Sequence, residues 1–178
     1  MPDLDPLRYP IGRPDFTGTH DPEGRRAAME TIAAAPARLR DAIQGLDDAQ
    51  LDTPYRPDGW TVRQVIHHVA DSHLNSYVRF KWGLTEADPE IKTYEQNAWA
   101  EQPEARSAPP ELSLALLDAL HARWMQALPE PEDEKGWQRT VIYPDGTPRS
   151  LDDLLALYAW HGEHHLAHIL GLRERESW

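Results

Sequence analysis

The chain is expected to be all-α, a four-helix bundle with one long crossover connection and a short irregular or β-turn element before the last helix. Three observations predict this. Four stretches carry apolar residues at helical intervals, a polar, proline-bearing link over residues 86–110 is too long for a tight hairpin, and no internal repeat or low-complexity tract suggests another architecture. With 178 residues, 40% of them hydrophobic, the chain suits one domain and can supply a real core.

Residues 1–20 hold Pro2, Pro6, Pro10 and Pro14 and are expected to form an extended arm on a single domain spanning 21–178. Asp21-Pro22-Glu23 is a favourable cap and first turn. Met29, Ile32, Ala33, Leu39 and Ile43 then follow with helical period, although Pro36 should kink or divide this helix. Residues 53–59 read as a connector. Thr61 and Gln64 have capping-box spacing, and Val62, Val65, Ile66, Val69, Tyr77 and Phe80 continue a second helix to about Leu84. Within the long link, a short helix is expected around Tyr94–Trp99. The third helix spans about Pro110–Leu128, with Leu112, Leu116, Leu120 and Trp124 on or near one face. Thr140–Tyr143 followed by Pro144-Asp-Gly146 forms the β-turn element, and Ser150 with Asp153 caps the last helix.

Composition narrows the function. Eighteen Lys and Arg against 30 Asp and Glu leave a formal charge of −12, and no basic run offers a phosphate backbone its counter-charge, so nucleic acid is not expected as a partner. Cysteine is absent, which removes disulfides, thiolate ligands and a catalytic thiol. No apolar run is long enough to cross a membrane and no signal-peptide pattern opens the chain, so a soluble cytoplasmic protein is expected.

The chemistry concentrates in Trp160-His-Gly-Glu-His-His-Leu-Ala-His168. On a wheel centred on Leu151, the stripe of Leu154, Leu155, Tyr158, Leu166, Ile169 and Leu172 lies within ~60°. His165 falls at ~40° and His161 at ~80°, whereas His168 and His164 fall at ~100° and ~140°. His161 and His165, one turn apart and facing inward, are therefore the pair expected to hold a metal ion. A third ligand would come from the second helix, where spacing ranks His68 and His73 equal and His67, better explained as a structural histidine, lower.

Trp60-Thr-Val-Arg-Gln-Val-Ile-His67-His68-Val-Ala-Asp71-Ser-His73, with the histidine motif above, resembles the DinB/YfiT-like superfamily, and specifically its YfiT branch. The resemblance extends to Tyr9-Pro-Ile-Gly12 and Leu51-Asp-Thr-Pro-Tyr-Arg56 and covers nearly the whole chain. It implies a four-helix bundle, in many members a homodimer, with one divalent ion per subunit, zinc first and nickel second. Carried over to this sequence, it implies His68, His161 and His165 as metal ligands, leaving His67, His73, His164 and His168 to line the pocket or support the ligands.

The branch implies a metal-dependent hydrolase acting on a small molecule. Its relatives imply an alternative, a thiol S-transferase using a low-molecular-weight thiol of the bacillithiol type. A third reading is a non-catalytic helical binding protein stabilised by the metal. Three neutral imidazoles leave a coordination position open and leave the cation's charge unquenched, which suits activation of either a water or a thiol. No catalytic side chain is identified. Gly162 stands where a zincin would have glutamate, and Asp71 is only a weak carboxylate candidate for supporting a ligand ring. Nucleophile-elbow, dinucleotide-binding and phosphate-loop patterns are absent.

Overall fold

The structure is a computed structural model that describes residues 6–14 and 21–178; the rest of the expected arm, residues 1–5 and 15–20, lies outside the described residues. The elements run α1 (Pro22–Ile43), α2 (Asp48–Leu51), α3 (Val62–Thr85), α4 (Gln96–Ala100), α5 (Pro103–Ser107), α6 (Pro110–Ala127), α7 (Glu134–Trp137), β1 (Thr140–Ile142), β2 (Pro148–Ser150) and α8 (Leu151–Glu176). Capping boxes at Thr61/Gln64 and Ser150/Asp153 start α3 and α8, each satisfying backbone N–H groups that the first helical turn leaves unpaired.

The four long helices form a bundle in which α1 neighbours α8 and α6, and α3 neighbours α6 and α8. Cross-helix contacts give the directions. His67 meets Ser113 and His73 meets His121, so α3 and α6 run parallel. Arg25 meets Asp152 and Arg173 meets the Ala42 carbonyl, so α1 and α8 also run parallel. Gly83 abuts Leu151 while His68 meets His161, which sets α3 antiparallel to α8. Two parallel neighbours consecutive among the long helices require a connection that travels the length of the bundle, and residues 86–109 do so with α4 and α5 packed on α3. Ile91 N–H and Ile142 N–H pin this crossover to β1 through the carbonyls of Ile142 and Pro89. β1 and β2 pair antiparallel, with Gly146 at φ 81° in the turn, a backbone conformation that favours glycine.

Three sequence expectations need correction. Pro36 does not divide α1, which runs unbroken through it. Leu112 and Leu116 do not face the core but are 65% and 42% exposed; Leu114 and Leu117 are buried with Leu120 and Trp124. That side of α6 points away from both α1 and α3, and a leucine-rich helix carries more apolar residues than its buried stripe can use. The short helix in the link starts at Gln96, after Tyr94, and a second one at Pro103 follows it.

The core is two apolar blocks. One gathers Leu39, Val62, Ile66, Val69, Leu117 and Ile169; the other gathers Ile32, Phe80, Trp124, Trp137, Leu154 and Tyr158. By sequence position along α3, α6 and α8, the buried His73, His121 and His165, together with His161, fall between the blocks. At the α8 start, the Arg25 guanidinium bonds Asp152, Glu134 and the Pro131 carbonyl, tying α1 to α7 and α8. This is a buried cation satisfied on every side, as burial of charge requires.

Candidate metal centre

His68, His161 and His165 come together with one ring nitrogen each, all within 4.8 Å of one another. Helix periodicity explains the pair on α8, since a four-residue step stacks the rings one turn apart. His68 arrives from the antiparallel α3, its Nε2 3.3 Å from Nε2 of His161. Two nitrogens each ~2.0–2.1 Å from a tetrahedral zinc would themselves be ~3.3 Å apart, so the donor set and its spacing fit a divalent ion.

His73, the other α3 candidate, stands behind the cluster. Its Nε2 lies 3.3 Å from His161 Nδ1 and its Nδ1 lies 2.9 Å from Nε2 of His121. His121 in turn bonds the Ile32 carbonyl through Nδ1 at 2.7 Å. His67 points elsewhere, donating from Nε2 to the Ala108 carbonyl and meeting the Ser113 hydroxyl at 2.7 Å, and so joins α3 to the start of α6.

His164 and His168, outward on the wheel, are buried all the same. The described part of the arm and the loop after α2 give α8 a second covered side: Tyr55 stacks on His168 with ring centres 3.9 Å apart, and His168 Nε2 bonds the Arg8 carbonyl at 3.2 Å. His168 Nδ1 lies 3.4 Å from His165 Nδ1. His164 stacks on Trp160, and neither His164 Nδ1 nor Trp160 Nε1 has a partner among the described residues.

All of these rings are held neutral. Burial drives the pKa of His161, His165 and His73 well below the ordinary histidine value, with neighbouring histidines adding to the shift. Burial likewise lowers His68 to about 3, and His121, His164 and His168 to about 4. A neutral imidazole has one bare nitrogen to give to a metal, which is the state a ligand requires.

Asp71 makes no carboxylate bond to the histidine cluster among the described residues; burial, with Glu104 adding to it, raises its pKa to about 6. The neighbouring Ser72, which the sequence did not single out, does reach the site, with its hydroxyl 3.4 Å from His161 Nε2. Tyr94, whose pKa burial raises to about 12, lies close enough to Ser72 to be influenced by its hydroxyl. Helical spacing carries the signal for Ser72, which is four residues after His68 and so on the same face of α3.

The cluster opens on a cavity of about 550 Å³. Arg8 and Tyr9 of the arm, Tyr55, Arg56 and residues 58–60 of the loop before α3, and Gln96, Asn97 and Glu101 around α4 form its walls. Trp60 packs over the floor, its ring centre 4.5 Å from that of His68. Arg8 and Arg56 bring positive charge to the wall of a strongly acidic protein, where Asp58 and Glu101 also line the cavity.

A bundle with this connection order and a three-histidine cluster between two of its helices defines a class of metal-site proteins. The chain belongs to the DinB superfamily, whose family model matches residues 31–169. It is 48% identical over 174 residues to a Bacillus mycoides protein named "Putative metal-dependent hydrolase", covering 97% of this chain and 98% of that one. A Geobacillus thermodenitrificans protein of the same name is 46% identical over 180 residues, covering both chains fully. Among solved structures, YfiT from Bacillus subtilis, described as "a probable metal-dependent hydrolase with an unusual four-helix bundle topology", matches with a TM-score of 0.90 and 43% identity, covering 97% of this chain and 99% of that one.

Proposed function

We propose that the protein is a metal-dependent hydrolase of a small molecule, with His68, His161 and His165 as ligands of one divalent ion. The observation that carries this reading is the convergence of three neutral imidazoles at the floor of a cavity large enough for a small substrate. Such an ion supplies Lewis acidity for activating water and polarising a substrate oxygen. The protein supplies the rest. Burial keeps the ligand rings unprotonated, and Trp60 and Tyr55 cover apolar parts of a guest. Ser72 is placed to orient an attacking oxygen beside His161, and Arg8 and Arg56 favour substrates with a partial or full negative charge.

Zinc is the metal of this reading and nickel its alternate, since three imidazole donors suit both. The protein works as a cytoplasmic homodimer, and native mass measurement tests the oligomer. The central experiment combines elemental analysis of the purified protein with ester and amide cleavage assays, with and without a low-molecular-weight thiol. Stoichiometric metal and thiol-independent cleavage that stops on chelation are expected. Turnover only when thiol is present would replace hydrolysis with thiol transfer, and metal binding that raises stability without any turnover would leave a binding protein.

A further inference from the structure

We propose that two histidine relays, His161–His73–His121–Ile32 and His165–His168–Arg8, lock the proton positions of the two α8 rings so that both turn a bare Nε2 toward the metal site. His73, His121 and His168 are then positioning residues. This inference rests on the reading of His161 and His165 as ligands.

A carbonyl oxygen only accepts hydrogen bonds. His121 Nδ1, 2.7 Å from the Ile32 oxygen, therefore carries a proton. The ring is buried with no carboxylate hydrogen-bonded to it among the described residues, so it is neutral and its Nε2 is bare. That nitrogen accepts from His73 Nδ1 at 2.9 Å, which leaves His73 Nε2 bare. It accepts in turn from His161 Nδ1 at 3.3 Å, so the lone pair of His161 is on Nε2, the nitrogen that faces His68. The second relay follows the same rule. His168 Nε2 donates to the Arg8 carbonyl at 3.2 Å, and its bare Nδ1 accepts from His165 Nδ1 at 3.4 Å, leaving His165 Nε2 free.

The first relay has its origin in a proline. Pro36 has no N–H, so the carbonyl four residues earlier, that of Ile32, lacks its helical donor. His121 supplies the missing bond. The second relay ends on the N-terminal arm, which thereby orients a ring at the metal site as well as walling the cavity. His68 has no such relay among the described residues. His68 Nε2 faces the bare Nε2 of His161 at 3.3 Å, so its own proton position depends on whether a hydrogen bond or a shared cation joins the two rings.

The test is nitrogen NMR on the full chain labelled with [15N]histidine and stripped of metal, with ring signals assigned by single substitutions. The pattern expected is Nδ1–H on His161, His165, His73 and His121, and Nε2–H on His168. Adding Zn²⁺ should move none of these protons. A proton on Nε2 of metal-free His161 or His165 overturns the proposal. His121→Phe should weaken Zn²⁺ binding in competition with a chromogenic chelator, by less than the about 10–100-fold typical when a partner bonded directly to a ligand is removed, because it acts one ring further back. His121→Gln, with an amide oxygen able to accept from His73, should keep most of the affinity; equal losses in the two variants would make His121 a packing residue and overturn its role. Should His121→Phe fail to fold, the NMR pattern of the unaltered protein decides alone. Failure of the unaltered protein to bind Zn²⁺ would remove the ligand reading, whereas the relay protons are read without metal and stand or fall separately.

Discussion

Nδ1 of His161 lies 3.3 Å from Nε2 of His73, on the side of the ring away from the nitrogen that faces His68. Two histidines of one helix, five residues apart, thus meet opposite edges of the same ring. His68 is presented to the cavity and His73 is sealed behind it.

Replacing these two residues should have different consequences. His68→Ala is expected to lose stoichiometric zinc, whereas His73→Ala should still bind it, about 10–100-fold more weakly, because it removes only the acceptor behind a ligand. Chelator competition on both variants measures this. Stoichiometric zinc on His68→Ala would refute the ligand set.

Metal removal should lower the melting temperature. Free zinc at 100 times its dissociation constant stabilises the folded state by about 2.7 kcal/mol, provided the unfolded chain does not bind it. Calorimetry with and without chelator checks the shift. His161→Ala and His165→Ala should melt at a temperature the chelator no longer changes.

The metal-free protein should lose stability as pH falls below about 6.5. His68 is held down to about 3 by burial and then by His164, His121 to about 4 by burial, and His168 to about 4 by burial and then by His164. Unfolded, these rings protonate near 6.5, so between that value and about 4 the unfolded chain binds more protons and acid favours it. Their contribution is complete above 6.5 and is lost on the way down to the folded values. Asp71, raised to about 6, acts in the opposite sense between about 6 and 3.8, but it is one group against several. Urea melts of chelator-treated protein from pH 8 to pH 5 should show a falling midpoint; a constant or rising one would contradict the buried neutral histidines.

Asp152→Ala should destabilise the fold by about 3 kcal/mol, since it removes the buried carboxylate from the Arg25 guanidinium and leaves it only the exposed Glu134 and the Pro131 carbonyl. Arg26→Ala removes only an exposed pair with Glu132 and should cost under about 1 kcal/mol. Urea denaturation of the two variants compares them directly.

Gly83→Ala would place a methyl group 2.7 Å from Leu151 Cδ2 and 3.1 Å from Val141 Cγ1, where α3 crosses the hairpin and the start of α8. A cost of about 1–3 kcal/mol is expected from overpacking. Metal stoichiometry should be unchanged, as read by elemental analysis.

The helices and their caps were legible because they are local. Thr61 with Gln64 and Ser150 with Asp153 announce α3 and α8 through bonds spanning three residues. The wheel also put His161 and His165 inward from the α8 stripe alone. It put His164 and His168 outward because a single helix cannot report what covers its other side, here Tyr55 stacked on His168 and the Arg8 carbonyl bonded to it.

Residue order alone therefore settled the four long helices, the long crossover and the one-turn stacking of His161 on His165, since each depends on periodicity, chain length or near neighbours. Spacing left His68 and His73 tied and only the family resemblance favoured His68; the assembled bundle brings His68 beside that pair, lets Ser72 reach the same ring, and gives the Ile32 carbonyl released by Pro36 to His121. These pairings join helices far apart in the chain. Their distances depend on how the helices pack, and no spacing within one helix encodes that.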